Sequence, residues 1–198
     1  AFLTTLVIAV ALFVDSSQRN PYGGWDAWTL WNLRAEFLAQ NNASWRNAFS
    51  GLLNRTHPAY PLLLSGIIGS CWNLMGSPGS PLAPIAVAAI FTFGTAGLVV
   101  SALAMLRSWS AGLLAGLILL ASPRFMLEGP SQYGDVPLSF YYAAAFALKL
   151  VAAHVDRGAE KLLVLAGLAA GFAAWTKNEG LLFLLLFCLG VAALYFME

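Results

Sequence analysis

Charge is scarce in this chain of 198 residues: only 10% are Asp, Glu, Lys or Arg, and the formal net charge is +1. Soluble domains carry roughly 25% charged residues, so an ordinary water-soluble enzyme is excluded. A disordered chain and a basic nucleic-acid binder are excluded on the same ground. Cysteine is nearly absent. Cys71 and Cys188 both lie in apolar runs with no His or Cys beside them, which reads as two buried, inert thiols and not as a metal site. Glycine-rich loops of the Walker or Rossmann type are missing, as is any zinc motif, so no nucleotide site is expected. The short alternating strands of an outer-membrane barrel are missing too.

What is present is apolar. Hydrophobic residues make up 60% of the chain, and the mean hydropathy is +0.74. They come in long blocks rich in Leu, Ala and Gly, and seven Trp and six Tyr suit interfacial aromatic belts. The chain reads as an integral membrane protein. Backbone polar groups in lipid must be paired within each segment, so the fold class is all-α, a polytopic transmembrane helical bundle. The chain begins at Ala1 inside one apolar run and ends just past another. Residues 1–198 therefore read as a single transmembrane module, an excised portion of a longer membrane protein.

The first apolar segment covers 1–14, and residues 15–57 form the one long extramembrane loop. Within that loop, 25–38 has helical spacing. Trp28, Trp31, Phe37 and Leu38 share a face, with Asn32, Arg34 and Glu36 interspersed. This predicts an amphipathic helix lying at the membrane surface, with a second short one over 44–53. Segment 58–75 is apolar but punctuated by Pro58, Pro61, Gly66 and Gly69. Spanning segments are predicted at 82–106, 109–121, 136–153, 162–175 and 181–197; crossing takes about 20 residues. Gly112/Gly116 and Gly167/Gly171 offer small faces for close packing inside the bundle.

Arg107 lies in one short turn, and Arg157 and Lys161 lie in another at 154–161. The positive-inside tendency assigns both turns to the cytoplasm. The polar breaks at 15–57, 122–134 and 177–180 then share the outer face. Parity of crossings requires 58–75 to dip into the outer leaflet and return.

Several polar residues could carry chemistry there. Asp26 sits between two Trp; a partly desolvated acid can act as a general base, while on spacing alone an acid at a helix start is the plainer reading. Asp135, followed by Val136-Pro137, equally fits a routine helix N-terminus. His57 is a structural anchor or a ligand. Lys177 and Glu179 break an apolar run at membrane depth, where ionisable groups are costly and often functional; a pair snorkelling to headgroups is the alternative. Arg124 and Arg55 are available as phosphate partners, and Glu128 is a further acid. Asn42 and Asn54 begin N-glycosylation patterns.

The order of these motifs is informative. Gly24-Trp25-Asp26-Ala27-Trp28 is followed by His57-Pro58-Ala59-Tyr60-Pro61-Leu62. Then come Gln132-Tyr133-Gly134-Asp135-Val136-Pro137-Leu138-Ser139-Phe140 and Trp175-Thr176-Lys177-Asn178-Glu179-Gly180-Leu181. The series resembles the GT-C superfamily of membrane glycosyltransferases, the glycosyltransferase family 39-like group that includes protein mannosyltransferases and aminoarabinose transferases. It covers the N-terminal half or so of such enzymes. Asp26-Ala27 departs from protein mannosyltransferases, which show a second acid next to the first.

The resemblance implies a GT-C-like bundle that transfers a sugar from a polyprenyl-phosphate-linked donor to a hydroxyl or amine of a lipid, glycan or protein acceptor, with inversion. It maps the catalytic acids onto Asp26 and Asp135, which are also candidate ligands for a divalent cation. His57, Arg124, Tyr133, Lys177 and Glu179 are the candidate substrate- and phosphate-binding residues. The location implied is the outer face of a bacterial or archaeal plasma membrane. Two rival readings are a transporter or flippase of a lipid-linked substrate and a non-catalytic membrane subunit in which the acids cap helices.

Overall fold

The computed structural model describes residues 1–40 and 43–197, without the side chains of residues 43, 54, 55, 195 and 197. Asn42, Asn54 and the Arg55 side chain, singled out above, lie outside this set. Every regular element among the described residues is helical: α1 (Phe2–Arg19), α2 (Leu33–Ala39), α3 (Leu63–Met75), α4 (Leu82–Leu106), α5 (Trp109–Leu120), α6 (Pro123–Glu128), α7 (Asp135–Ala152), α8 (Ala159–Thr176) and α9 (Asn178–Met197). Helices α1, α4, α7 and α8 are long and apolar enough to cross a membrane.

Local chemistry sets the boundaries. Ser108 Oγ accepts from the Ala111 N–H at 3.2 Å and starts α5. Ser122 precedes α6 with Pro123 in its first turn, where the missing N–H is harmless. Gly76 ends α3 at φ +61°, and the Ser77 N–H reaches back to the Trp72 carbonyl at 3.2 Å, a left-handed C-cap.

Small residues set the packing. A Cβ on Gly112 would strike the Val100 carbonyl, and one on Gly116 would strike the Val100 and Phe2 side chains. Helix α5 therefore returns antiparallel along α4 at close range. Ala144 and Ala145 of α7 meet Ala169 and Ala170 of α8 in the same way. Helices α4 and α7 run parallel from one end: Val87 and Val136 share a core, and Phe91 packs edge-on to Phe140 at 5.5 Å. The predicted pairing of Gly112/Gly116 within the bundle is observed. Gly167 and Gly171, by contrast, face open space.

Helix α3 has 13 residues and is about 20 Å long, short of the hydrocarbon core. Ser65 Oγ near its start donates to the Trp31 carbonyl at 2.9 Å, and Trp72 Nε1 near its end donates to the Ser80 carbonyl at 2.7 Å. Both ends of α3 thus stay where α4 begins.

Four expectations are corrected. The helix over 25–39 is not a surface helix: Trp31 is 2% exposed and Arg34 0%, whereas Trp28 is 48% exposed. Residues Ala27–Asn32 are wound as a π-helix, whose wider turns rotate the side chains beyond them out of the 3.6-residue pattern. The helix predicted over 44–53 is two 3₁₀ segments, Ala43–Phe49 and Gly51–Thr56, parted at Ser50. The loop 122–134 contains α6, and the break at 176–180 narrows to Lys177 alone.

Replacing Gly112 by Ile forces α5 away from α4 and is expected to destabilise the bundle by about 1–3 kcal/mol. Gly167→Ala and Gly171→Ala add a methyl to open space inside a helix and are expected to leave the midpoint unchanged or slightly raised, never lowered. Thermal unfolding of the three variants in detergent micelles checks both.

Candidate functional site

The polar breaks meet at the end where α4 and α7 begin. Gly24 donates its N–H to the Ser131 carbonyl at 3.0 Å. The Gln132 side chain donates to the Pro21 carbonyl at 3.0 Å and accepts from Asn32 Nδ2 at 3.2 Å. Gln132 is buried, with φ +59°. Gly134 lies against the Trp31 indole, where a Cβ would collide at 2.6 Å.

Asp26 opens the helix that leads into the π turns, and Thr29 Oγ1 donates to the Trp25 carbonyl at 2.8 Å just behind it. Asp26 lines a cavity of about 120 Å³ together with Trp25, Thr29, Trp31, His57, Tyr60 and Lys177. It is half-buried and has no ion-pair or hydrogen-bond partner for its carboxylate among the described residues. The rings form a ladder on one wall: Trp31 stacks on Tyr60 at 5.7 Å, and Tyr60 on His57 at 5.2 Å. Arg34 holds that wall from behind. Its guanidinium donates to the Tyr60 carbonyl at 2.8 Å, to the Thr56 carbonyl at 3.2 Å and to the His57 carbonyl. Burial lowers the Arg34 pKa below the usual arginine value, and arginine stays charged all the same.

Lys177 is the extended residue between α8 and α9. Its side chain is 12% exposed, and its ammonium donates to Asp135 Oδ1 at 2.9 Å, lies 3.6 Å from Glu179 Oε1 and sits 5.9 Å from the Tyr60 ring centre. Burial opposes the charge; the hydrogen bond to Asp135 and the charges of Asp135 and Glu179 outweigh it, so the pKa lies above the ordinary lysine value.

Asp135 faces the other way as well. It lines a second cavity of about 330 Å³ with Ser122, Arg124, Phe125, Glu128 and Ser139. The Asp135–Lys177 bond thus links the two cavities, Lys177 lining the first and Asp135 the second. Among the predicted site residues, Asp26, His57 and Lys177 share one cavity, and Asp135 and Glu179 join it through Lys177. Arg124 does not: it pairs with Glu128 at 2.6 Å in the second cavity. Nor does Tyr133, whose ring packs against Gly24 and which lines a tight apolar pocket beside Val136 and Pro137.

Sequence reasoning missed Arg34, Tyr60 and Trp31 as site-forming residues. Tyr60 was visible within the His57–Leu62 motif. Arg34 stood out only as one of several polar residues in an amphipathic pattern, because the π turns that bury it leave no periodic signal.

A divalent cation between Asp26 and Asp135 needs carboxylates free to coordinate. Asp135 Oδ1 is instead bonded to Lys177 Nζ, and no group of three or more His, Cys, Asp and Glu fit for a metal occurs among the described residues. This donor set does not fit the cation that the resemblance admits. No family model matches the chain, and neither does any curated protein or solved structure.

The linkage of Lys177 has a definite sign. A folded-state pKa above the unfolded one stabilises the fold fully below the unfolded value, about 10.4, and the gain is lost as pH rises through the folded value. The stability difference between wild type and Lys177→Gln is therefore expected to be constant from neutral pH to the unfolded lysine value and to shrink above it. Thermal midpoints in detergent across that range measure it.

Proposed function

We propose that this chain is the N-terminal transmembrane module of a GT-C-type glycosyltransferase, a polytopic bundle whose site opens at the extracytoplasmic face. The observation that carries the reading is the small polar cavity that gathers the Asp26 carboxylate, without a partner among the described residues, the Lys177 ammonium and the rings of Trp25 and Tyr60 around one space. Four helices long and apolar enough for a membrane support a substrate that arrives within the bilayer, which suits a polyprenyl-phosphate-linked sugar.

In this reading the acceptor hydroxyl or amine attacks the anomeric carbon of the donor sugar. Its proton passes to the Asp26 carboxylate as general base. The bond from the anomeric carbon to the phosphate oxygen breaks, and the electron pair leaves with the polyprenyl phosphate. Lys177 gives one N–H to Asp135 and has others for that developing charge. His57 stands at the exposed rim as a second donor. Attack on the face opposite the phosphate inverts the anomeric centre. Asp135 and Glu179 act by orienting Lys177. The rings offer flat apolar surfaces to the sugar.

Sugar transfer from radiolabelled polyprenyl-phosphate donors is measured in membranes carrying the full-length protein at matched expression. Asp26→Asn is expected to slow transfer by roughly 10²–10⁴-fold. An unchanged rate removes Asp26 from the mechanism. Absence of transfer by wild type with every donor turns the reading toward a transporter of the same lipid-linked class.

A further inference from the structure

Arg34 is fully buried, yet the transfer chemistry makes no use of it. It has no carboxylate partner among the described residues; its Nη atoms donate to three backbone carbonyls, and its Nε has no hydrogen-bond partner there. A cation taken out of water is costly unless it is well compensated, and here the compensation among the described residues comes from peptide dipoles.

Those three carbonyls all belong to the short backbone stretch 56–60. His57 lies in it at φ 47°, ψ 65°, the left-handed region that residues with a Cβ seldom occupy. The Thr56 and His57 carbonyls flank that conformation and converge on one Nη2 atom. The stretch carries two of the rings on the cavity wall, and Tyr60 stands beside both Trp31 and the Lys177 ammonium.

We infer that Arg34 is a positioning residue: it clamps backbone 56–60 so that His57 and Tyr60 stand as the wall of the Asp26–Lys177 cavity, and thereby sets how tightly the phosphate end of a lipid-linked donor is held. The ligand rests on the transferase reading; the clamp rests on the geometry alone. A planar guanidinium fork can serve several carbonyls at once, which a lysine ammonium on a flexible stem cannot reproduce.

The test uses the full-length protein and two readouts, the first in detergent micelles, where protease reaches both ends of the bundle, and the second in membranes. The first needs no activity. Digestion by a non-specific protease within 54–60 is expected to accelerate about tenfold in Arg34→Lys and further in Arg34→Gln, while cleavage in the 154–161 turn stays as in wild type. Equal cleavage of 54–60 in wild type and both variants overturns the clamp, and so does parallel acceleration in both regions, which marks a general loss of fold.

The second readout is donor kinetics. Arg34→Lys is expected to raise the donor KM about tenfold with kcat held within about twofold. Tyr60→Ala does the same, and the double variant is no worse than Tyr60→Ala alone, because both changes remove one wall. Additive losses overturn action through Tyr60. If wild type transfers no sugar from any donor, the transferase reading fails while the protease rates still decide the clamp.

Discussion

Lys177 occupies the single residue between α8 and α9, and its ammonium ties that joint to the start of α7 through Asp135 Oδ1 at 2.9 Å. The joint itself leaves no freedom. Gly180 lies so close under the Ala173 carbonyl that any side chain there would collide. A largely buried ammonium is tolerable only with opposite charge at hand, and Asp135, Glu179 and the Tyr60 ring supply it from three separate stretches of chain. Removing that charge would leave two carboxylates facing each other at the point where three helices begin or end. The pair joins the walls of the two cavities, Lys177 lining the one and Asp135 the other.

The long polar loop is part of the bundle and not a lid above it. Trp31 fills a hollow against Gly134, and Ser65 fastens α3 to the Trp31 carbonyl. Leu30, Ala35, Leu64, Ile68 and Val87 close a core beneath it. A glycine at 134 is required by that close approach, as one at 24 is by the Tyr133 ring. The π turns reconcile two demands on one helix, since they bury Trp31 and Arg34 while leaving Asp26 on the cavity.

The two ends of the bundle differ in kind. At the end holding Asp26 and Lys177, polar side chains are gathered, partly buried and bonded across elements far apart in sequence. At the opposite end, His154 bonds within its own turn, to the Leu150 carbonyl. Between the ends, exposed Leu, Val and Phe side chains on α1, α8 and α9 present apolar surface outward. Under the proposed function, this asymmetry suits a substrate with an apolar tail and an anionic head: the tail stays level with the helices and the head reaches Lys177.

The long apolar runs were legible because each writes its own helix. A backbone segment in apolar surroundings must satisfy its polar groups internally, so α4 matches its predicted bounds and α5 and α7 lie within a residue of theirs. The clustering of the polar breaks at one end followed from counting crossings. The Gly112/Gly116 face was legible as well, since its spacing is local. What the sequence could not determine is which polar side chains share a cavity. Asp26, His57 and Lys177 meet only because α3 turns back beside α4 and a π-wound helix seats Trp31 on Gly134. Arg34 was hidden in an ordinary amphipathic pattern, and Arg124 and Tyr133 were drawn into a site whose cavity they do not line. Local periodicity reports hydrogen bonding and burial within one segment; the direction of a side chain relative to distant segments is set by packing, and only the tertiary structure decides it.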